Sequence, residues 1–207
     1  MQKFVIGLTG AIGSGKDAAA LFLTDAGYER RAFADALREE VGHAFDIHPQ
    51  HMALLCSREH KERPDTAFEM TRCRDISFQR VMADAGLHGH RLASPRTIMR
   101  LWGTEYRRKQ VPGYWINKLA RFYDECEHPL VIPDVRFEDE AAWVRDNGLL
   151  IHIERVNNPY ADEMSGHQSD SGVTFVEGDC KFFNDDSLSA LGSGTLAVAV
   201  ELERHFA

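Results

Sequence analysis

The sequence predicts an α/β chain built on a doubly wound, mostly parallel sheet of about five strands with helical insertions. Three observations lead there. Residues 3–9 (Lys-Phe-Val-Ile-Gly-Leu-Thr) form a short apolar run that ends in a glycine-rich turn, as a buried parallel strand does. An Ala- and Leu-rich stretch from Lys16 to about Ala26 follows and stops at Gly27, which suits a helix C-terminus. Further short apolar runs then alternate with helical stretches along the chain.

Taken in order, Arg30 to Phe33 reads as a second short strand and Asp35 to Phe45 as a helix. Residues 46–66 are polar, rich in His and Arg and broken by Pro49 and Pro64, which predicts helical pieces and mobile loop. Helices are expected over 67–86, from Pro95 to Trp102 and from Trp115 to Tyr123. The clearest later strand is Leu130 to Asp134. Its Pro133 stands near the end, where a ladder donor can be spared. A helix from Glu138 to Asn147 stops at Gly148, and Leu149 to Ile153 form the next strand. Lys181 to Phe183 supply the last strand and Thr195 to His205 a final helix. No repeat and no strong linker divides the chain. One domain over 1–207 is expected, with segments near 46–66 and 86–113 binding substrate and moving to close over it.

A 207-residue chain that is 43% hydrophobic can bury a sizeable core. Its 32 acidic and 24 basic residues give a formal charge of −8, which argues against coating nucleic acid or an anionic membrane. No apolar run reaches the roughly 18 residues of a membrane span. Met1-Gln2-Lys3-Phe4 leads straight toward Gly7 and Gly10, so no signal-peptide core is expected. Cys56, Cys73, Cys126 and Cys180 are scattered, which fits a reducing cytoplasm. His48, His51, Cys56 and His60 follow no tight zinc spacing.

The most informative segment is Gly10-Ala11-Ile12-Gly13-Ser14-Gly15-Lys16-Asp17, a G-x-x-x-x-G-K run with Asp where Ser or Thr is usual. Glycines let backbone N–H groups approach phosphate oxygens closely. The helix beginning at Lys16 adds its positive end, and the lysine can bridge β- and γ-phosphates. A strand before and a helix after favour this P-loop NTPase-type reading over a turn with a solvated lysine. It calls for ATP and Mg²⁺. Asp17 could bind that ion or one of its waters, or be a first-turn acid favoured by the helix dipole; both can hold. Asp134, at the end of an apolar strand, reads as a second magnesium or water-orienting carboxylate, or as a helix N-cap.

Arg91, Arg96, Arg100, Arg107, Arg108, Lys109, Lys118 and Arg121 crowd residues 91–121 of an acidic chain. Phosphoryl transfer needs such cations on the migrating group and the acceptor, although some must simply be solvated. Arg136, just beyond Asp134, is aimed by the strand end at the same crevice. Phe33, Trp102, Tyr106, Trp115 and Phe137 could stack a base, yet most are expected to be packing residues.

Several segments together resemble the phage-type deoxynucleoside monophosphate kinases, a branch of the P-loop nucleoside monophosphate kinases. They are Gly13 to Asp17; Phe33-Ala34-Asp35-Ala36-Leu37-Arg38; Lys61-Glu62; Ser94-Pro95-Arg96-Thr97 with Trp102-Gly103-Thr104-Glu105; Trp115; and Ile132 to Phe137 with Glu140. The resemblance runs from residue 3 to about residue 155. It implies ATP on Gly13, Ser14, Gly15, Lys16, Asp17 and Ala18, with Arg96 and Gly103 also on the ATP side. A deoxynucleotide would be held by Arg38, Thr104, Trp115, Asp134, Arg136 and Glu140. Lys16, Arg136 and Arg96 would be catalytic, and Asp17 and Asp134 would serve the metal. Arg38, Asp139 and Tyr106-Arg107-Arg108 depart from the family pattern, which leaves Arg107 and Arg108 to be told apart. His167-Gln168-Ser169-Asp170 stands where the family often has a His-x-Ser-Glu stretch near the substrate.

The function expected is transfer of the ATP γ-phosphoryl to a deoxynucleoside 5′-monophosphate in the cytoplasm, that of the host if the chain is phage-encoded. Another small-molecule P-loop kinase, such as one resembling dephospho-coenzyme A kinase, is the alternative. A nucleotide-gated switch or DNA-packaging protein stands further off. Base, sugar selectivity and oligomeric state are not fixed by the sequence, with which a homodimer is compatible.

Overall fold

The computed structural model describes residues 3–158, 172–185 and 187–206, so the His167 to Asp170 stretch lies outside the described residues. The chain divides into two compact units, Met1–Phe33 with Lys118–Ala207, and Ala34–Asn117. The first carries a sheet and the second is helical.

In the sheet unit, strands β1 (Val5–Thr9), β2 (Glu29–Arg30), β3 (Leu130–Ile132), β4 (Gly148–Glu154) and β5 (Cys180–Phe183) lie in the order β2-β3-β1-β4-β5. Every neighbouring pair is parallel. Alternation along β1 explains its continuous apolar sequence. Phe4, Ile6 and Leu8 pack with Ala19, Ala20 and Leu23 of helix α1 (Lys16–Asp25) and with Leu191 and Ala199 of helix α8 (Leu188–Phe206). On the other face a Cβ at Gly7 would come 2.6 Å from Val144 of helix α7 (Glu138–Asn147). Burying each aliphatic side chain contributes about 2 kcal/mol, and a one-residue slip of β1 would exchange the two faces. The predicted doubly wound parallel sheet is therefore present.

Differences from expectation have identifiable causes. The second strand is Glu29–Arg30, shorter than expected, and helix α2 (Phe33–Phe45) starts two residues early. Its first amide, Phe33 N–H, donates to Asp134 Oδ1 at 2.9 Å. Helix α8 starts at Leu188 rather than Thr195, because Ser187 Oγ accepts from Ala190 N–H. Gly192 and Gly194 do not break it, since the Phe22 and Phe182 rings fill the places of their missing side chains.

The helical unit continues α2 through α3 (Pro49–Leu55), two 3₁₀ turns (Thr66–Phe68 and Met70–Arg72), α4 (Ile76–Asp84) and α5 (Pro95–Arg100). Leu101–Arg108 is π-helical, and α6 (Tyr114–Glu125) begins in this unit. The expected helix over 67–86 is thus divided. Asp65 and Asp75 each cap a new start, at Ala67 N–H and Phe78 N–H, and this local bonding competes with one continuous helix. The helix expected to end at Trp102 instead runs on as the π segment. Phe45, Phe68, Phe78, Trp102 and Tyr106 form the aromatic core of the unit, with neighbouring ring centroids 4.5–6.3 Å apart. Among the described residues no helix is long and apolar enough to cross a membrane.

Candidate phosphate-binding site

The loop between β1 and α1 takes its shape from glycines where a side chain would not fit. Gly10, Gly13 and Gly15 have φ of 143°, 76° and 109°. A Cβ at Gly10 would lie 2.2 Å from the Ile153 carbonyl oxygen. Loop carbonyls are held from several directions. Lys16 Nζ donates to Gly10 O and Ala11 O, each at 2.7 Å. Asn158 Nδ2 donates to Ile12 O and Asn184 Nδ2 to Ser14 O, again at 2.7 Å. Ser14 is fully buried, with Oγ 3.5 Å from Lys16 Nζ. In a planar trans peptide the N–H points opposite to the C=O, so carbonyls anchored this way set the direction of the loop amides.

Lys16 opens α1, followed by exposed Asp17 and half-buried Ala18. Burial and the Arg136 charge push the Lys16 ammonium down to about 8, while Asp17 and Asp134 act in the opposite sense. Three charges therefore bear on Lys16, as their places beyond the carboxyl ends of β1 and β3 imply. Asp134 does not cap α7, whose N-cap is Phe137. Glu140, only 3% exposed, reaches back so that Oε2 accepts from Arg136 N–H at 2.8 Å and Phe137 N–H at 3.2 Å. It fixes the backbone that carries the exposed Arg136 side chain.

Mg²⁺ on a polyphosphate keeps several waters and needs only one or two protein carboxylates. Exposed Asp17 and half-buried Asp134 fit that requirement. Among the described residues no group of three His, Cys, Asp or Glu could hold a metal alone. His48 instead caps α3, and His60 Nδ1 lies 3.0 Å from Ser57 Oγ.

The remaining expected site residues lie in the helical unit. Arg38 pairs with Asp35 at 2.8 Å, and Arg96 with Glu62 at 2.7 Å. Gly103 is buried in the π segment, and its carbonyl accepts from Trp115 Nε1 at 3.1 Å; Trp115 is itself buried. Thr104 is half-buried. Phe33, Trp102 and Tyr106 are buried as well, so four of the five aromatic candidates are packing residues and only Phe137 is half-buried. Arg107 Nε donates to Glu40 Oε2 at 2.9 Å, and its guanidinium lies over the Trp102, Tyr106 and Tyr114 rings. Arg107 is thereby committed to internal structure.

Sequence reasoning missed Glu40, Asn158 and Asn184. The asparagines were detectable only by place: each follows the carboxyl end of a strand, the edge where open parallel sheets gather ligand contacts.

A parallel sheet in this order, with G-x-x-x-x-G-K between its first strand and first helix, defines a P-loop nucleotide-binding protein. The chain belongs to the deoxynucleotide monophosphate kinase family, whose model matches residues 67–194. That span begins beyond the phosphate loop, so the two observations are independent. Among solved structures, TT1252 from Thermus thermophilus has the same fold, with a TM-score of 0.56 at 19% identity over 98% of this chain and 99% of that one. Dephospho-CoA kinase from Campylobacter jejuni gives 0.48 at 13% identity, covering 97% of each chain. A sugar kinase from Janibacter sp. HTCC2649 gives 0.43 at 13% identity, covering 100% of this chain and 99% of that one. No curated protein matches.

Proposed function

We propose that the protein transfers the γ-phosphoryl of ATP to the 5′-phosphate of a deoxynucleoside monophosphate, forming the diphosphate and ADP. The observation that carries this reading is the convergence of Lys16 and Arg136 at the glycine loop, close enough for one cation to depress the other. Two neighbouring like charges, of which Lys16 is partly desolvated, are unfavourable together unless an anion joins them, and a polyphosphate is such an anion.

An oxygen of the acceptor phosphate attacks Pγ, the bond from Pγ to the β–γ bridging oxygen breaks, and ADP leaves with that electron pair. The acceptor is already ionised, so alignment and charge neutralisation suffice without a strong base. Gly13 to Ala18 bind the ATP phosphates, and Lys16 neutralises the β- and γ-oxygens. Arg136 bears on the migrating group, held in aim by Glu140. Mg²⁺, carried by Asp17 and Asp134, would neutralise phosphate charge when bound. Arg38 and Thr104 contact the acceptor nucleotide, Arg96 and Gly103 serve the ATP side, and Trp115 acts through the Gly103 carbonyl it holds. The family match supports the deoxynucleotide acceptor.

A coupled ADP-release assay with the four common deoxynucleoside monophosphates, their ribo counterparts and dephospho-coenzyme A tests the proposal. Turnover is expected with at least one deoxynucleotide. Turnover with dephospho-coenzyme A alone, or ATP hydrolysis indifferent to every acceptor, refutes it.

A further inference from the structure

Two donors that hold the phosphate loop come from outside the loop and α1. We infer that Asn158 and Asn184 are positioning residues of this site, fixing the two glycine peptides whose N–H groups a polyphosphate uses. The inference rests on the kinase reading above and extends it to residues with no assigned role.

The Ile12 carbonyl and the Gly13 N–H belong to one peptide plane, as do the Ser14 carbonyl and the Gly15 N–H. Each plane is free to turn at its glycine, because glycine populates both signs of φ. A reversed plane would present a carbonyl oxygen to the phosphate in place of a donor. The 2.7 Å bonds from Asn158 and Asn184 to these two carbonyls oppose that reversal. Asn184 also fills the space that a side chain at Gly15 would need, since a Cβ there would lie 2.4 Å from its Nδ2.

The two asparagine-bearing loops brace each other. Asn184 N–H donates to Glu154 O, and Val156 N–H to Asp185 Oδ1, both at 2.8 Å. Lys16 performs the same service for Gly10 and Ala11, but its ammonium is what the β- and γ-phosphates require. Once it turns to them, the Gly10 carbonyl loses this donor, while Ala11 O keeps Ser14 N–H at 3.2 Å. The neutral asparagines have no such second duty and hold their peptides whether or not nucleotide is bound.

Asn158→Ala and Asn184→Ala, made in the full chain, test this, with magnesium tripolyphosphate as a ligand that lacks base and sugar. Each variant is expected to bind tripolyphosphate about fivefold more weakly and to raise KM for ATP by a similar factor, with KM for the deoxynucleotide unchanged. Partial unfolding would lower the active fraction, hence kcat, without that split. Asn158→Gln, which keeps an amide donor, should restore most of the affinity. If Asn184→Ala does not fold, Asn158→Ala carries the test on its own. Wild-type tripolyphosphate affinity in the alanine variants overturns the inference. A wild-type protein that binds tripolyphosphate but phosphorylates no deoxynucleotide overturns the acceptor assignment alone, and one that binds no polyphosphate overturns both.

Discussion

Lys16 carries an electrostatic cost that its ligand would remove. Its ammonium is drawn down from 10.5 to about 8, chiefly by burial and next by Arg136. A lysine lowered in the folded state binds fewer protons there than in the unfolded chain between those two values. Its charge therefore opposes folding below pH 8, on the order of 3 kcal/mol, and the penalty lifts as pH rises toward 10.5. Lys16→Met should leave the melting temperature unchanged or raised while lowering kcat at least a hundredfold. A variant with near-normal turnover would remove the loop from the chemistry. Polyphosphate restores the high proton affinity, so ATP binding near pH 8.5 should take up a fraction of a proton. Calorimetry in two buffers of different ionisation enthalpy would reveal it as a buffer-dependent heat, and equal heats would contradict the charge arrangement described.

At the scale of elements, the π segment shows where local sequence stops deciding structure. A widened i→i+5 turn keeps Trp102 and Arg107, five residues apart, nearer one face than an α-helix would. Trp102 Nε1 and Arg107 Nε both donate to Glu40 Oε2 at 2.9 Å, while the Tyr114 hydroxyl donates to Oε1. Burial and then this carboxylate push the Tyr114 phenol up to about 12. Glu40→Gln keeps the size but turns an amide N–H toward one of these donors. It should destabilise the protein by about 2 kcal/mol in urea unfolding, and a change under 0.5 kcal/mol would show the network to be ornamental. Glu40 lies 62 or more positions from each of these partners, so no window of sequence contains the cause. By contrast, β1, α1 and α7 were legible because their determinants are local: apolar runs, a glycine turn, and an acidic first turn with Glu140 reaching back. The same distinction divides the site. Gly10 to Asp17 stand together in the sequence, whereas Asn158 and Asn184 reach the loop only after strand pairing brings β4 beside β1 and β5 beside β4.

Across the sheet unit as a whole, Asp179 joins elements that no short stretch of chain connects. Its side chain is 1% exposed and accepts from Arg145 of α7 through Nε and Nη2, each at 2.8 Å, and from Val176 N–H at 3.1 Å. His152 Nε2, on β4, lies 2.9 Å away. Strand β5 begins at the next residue, so one carboxylate ties the last strand to its neighbour and to the helix over them. Burial alone would push this carboxyl up, but the donors prevail and hold it at about 2 against an ordinary 3.8. A depressed carboxyl contributes its full stability above pH 4 and loses it as pH falls from about 4 to about 2. Calorimetric melting over pH 2–6 should show the wild-type melting temperature dropping steeply in that window. Asp179→Asn should melt lower at neutral pH, because Arg145 loses the nearer of its two charged partners, and should show a shallower fall below pH 4 because one acid-sensitive group is gone. If the two proteins keep parallel curves down to pH 2, the ionised Asp179 does not hold the sheet and helix together, and the acid sensitivity of the fold must come from carboxylates elsewhere.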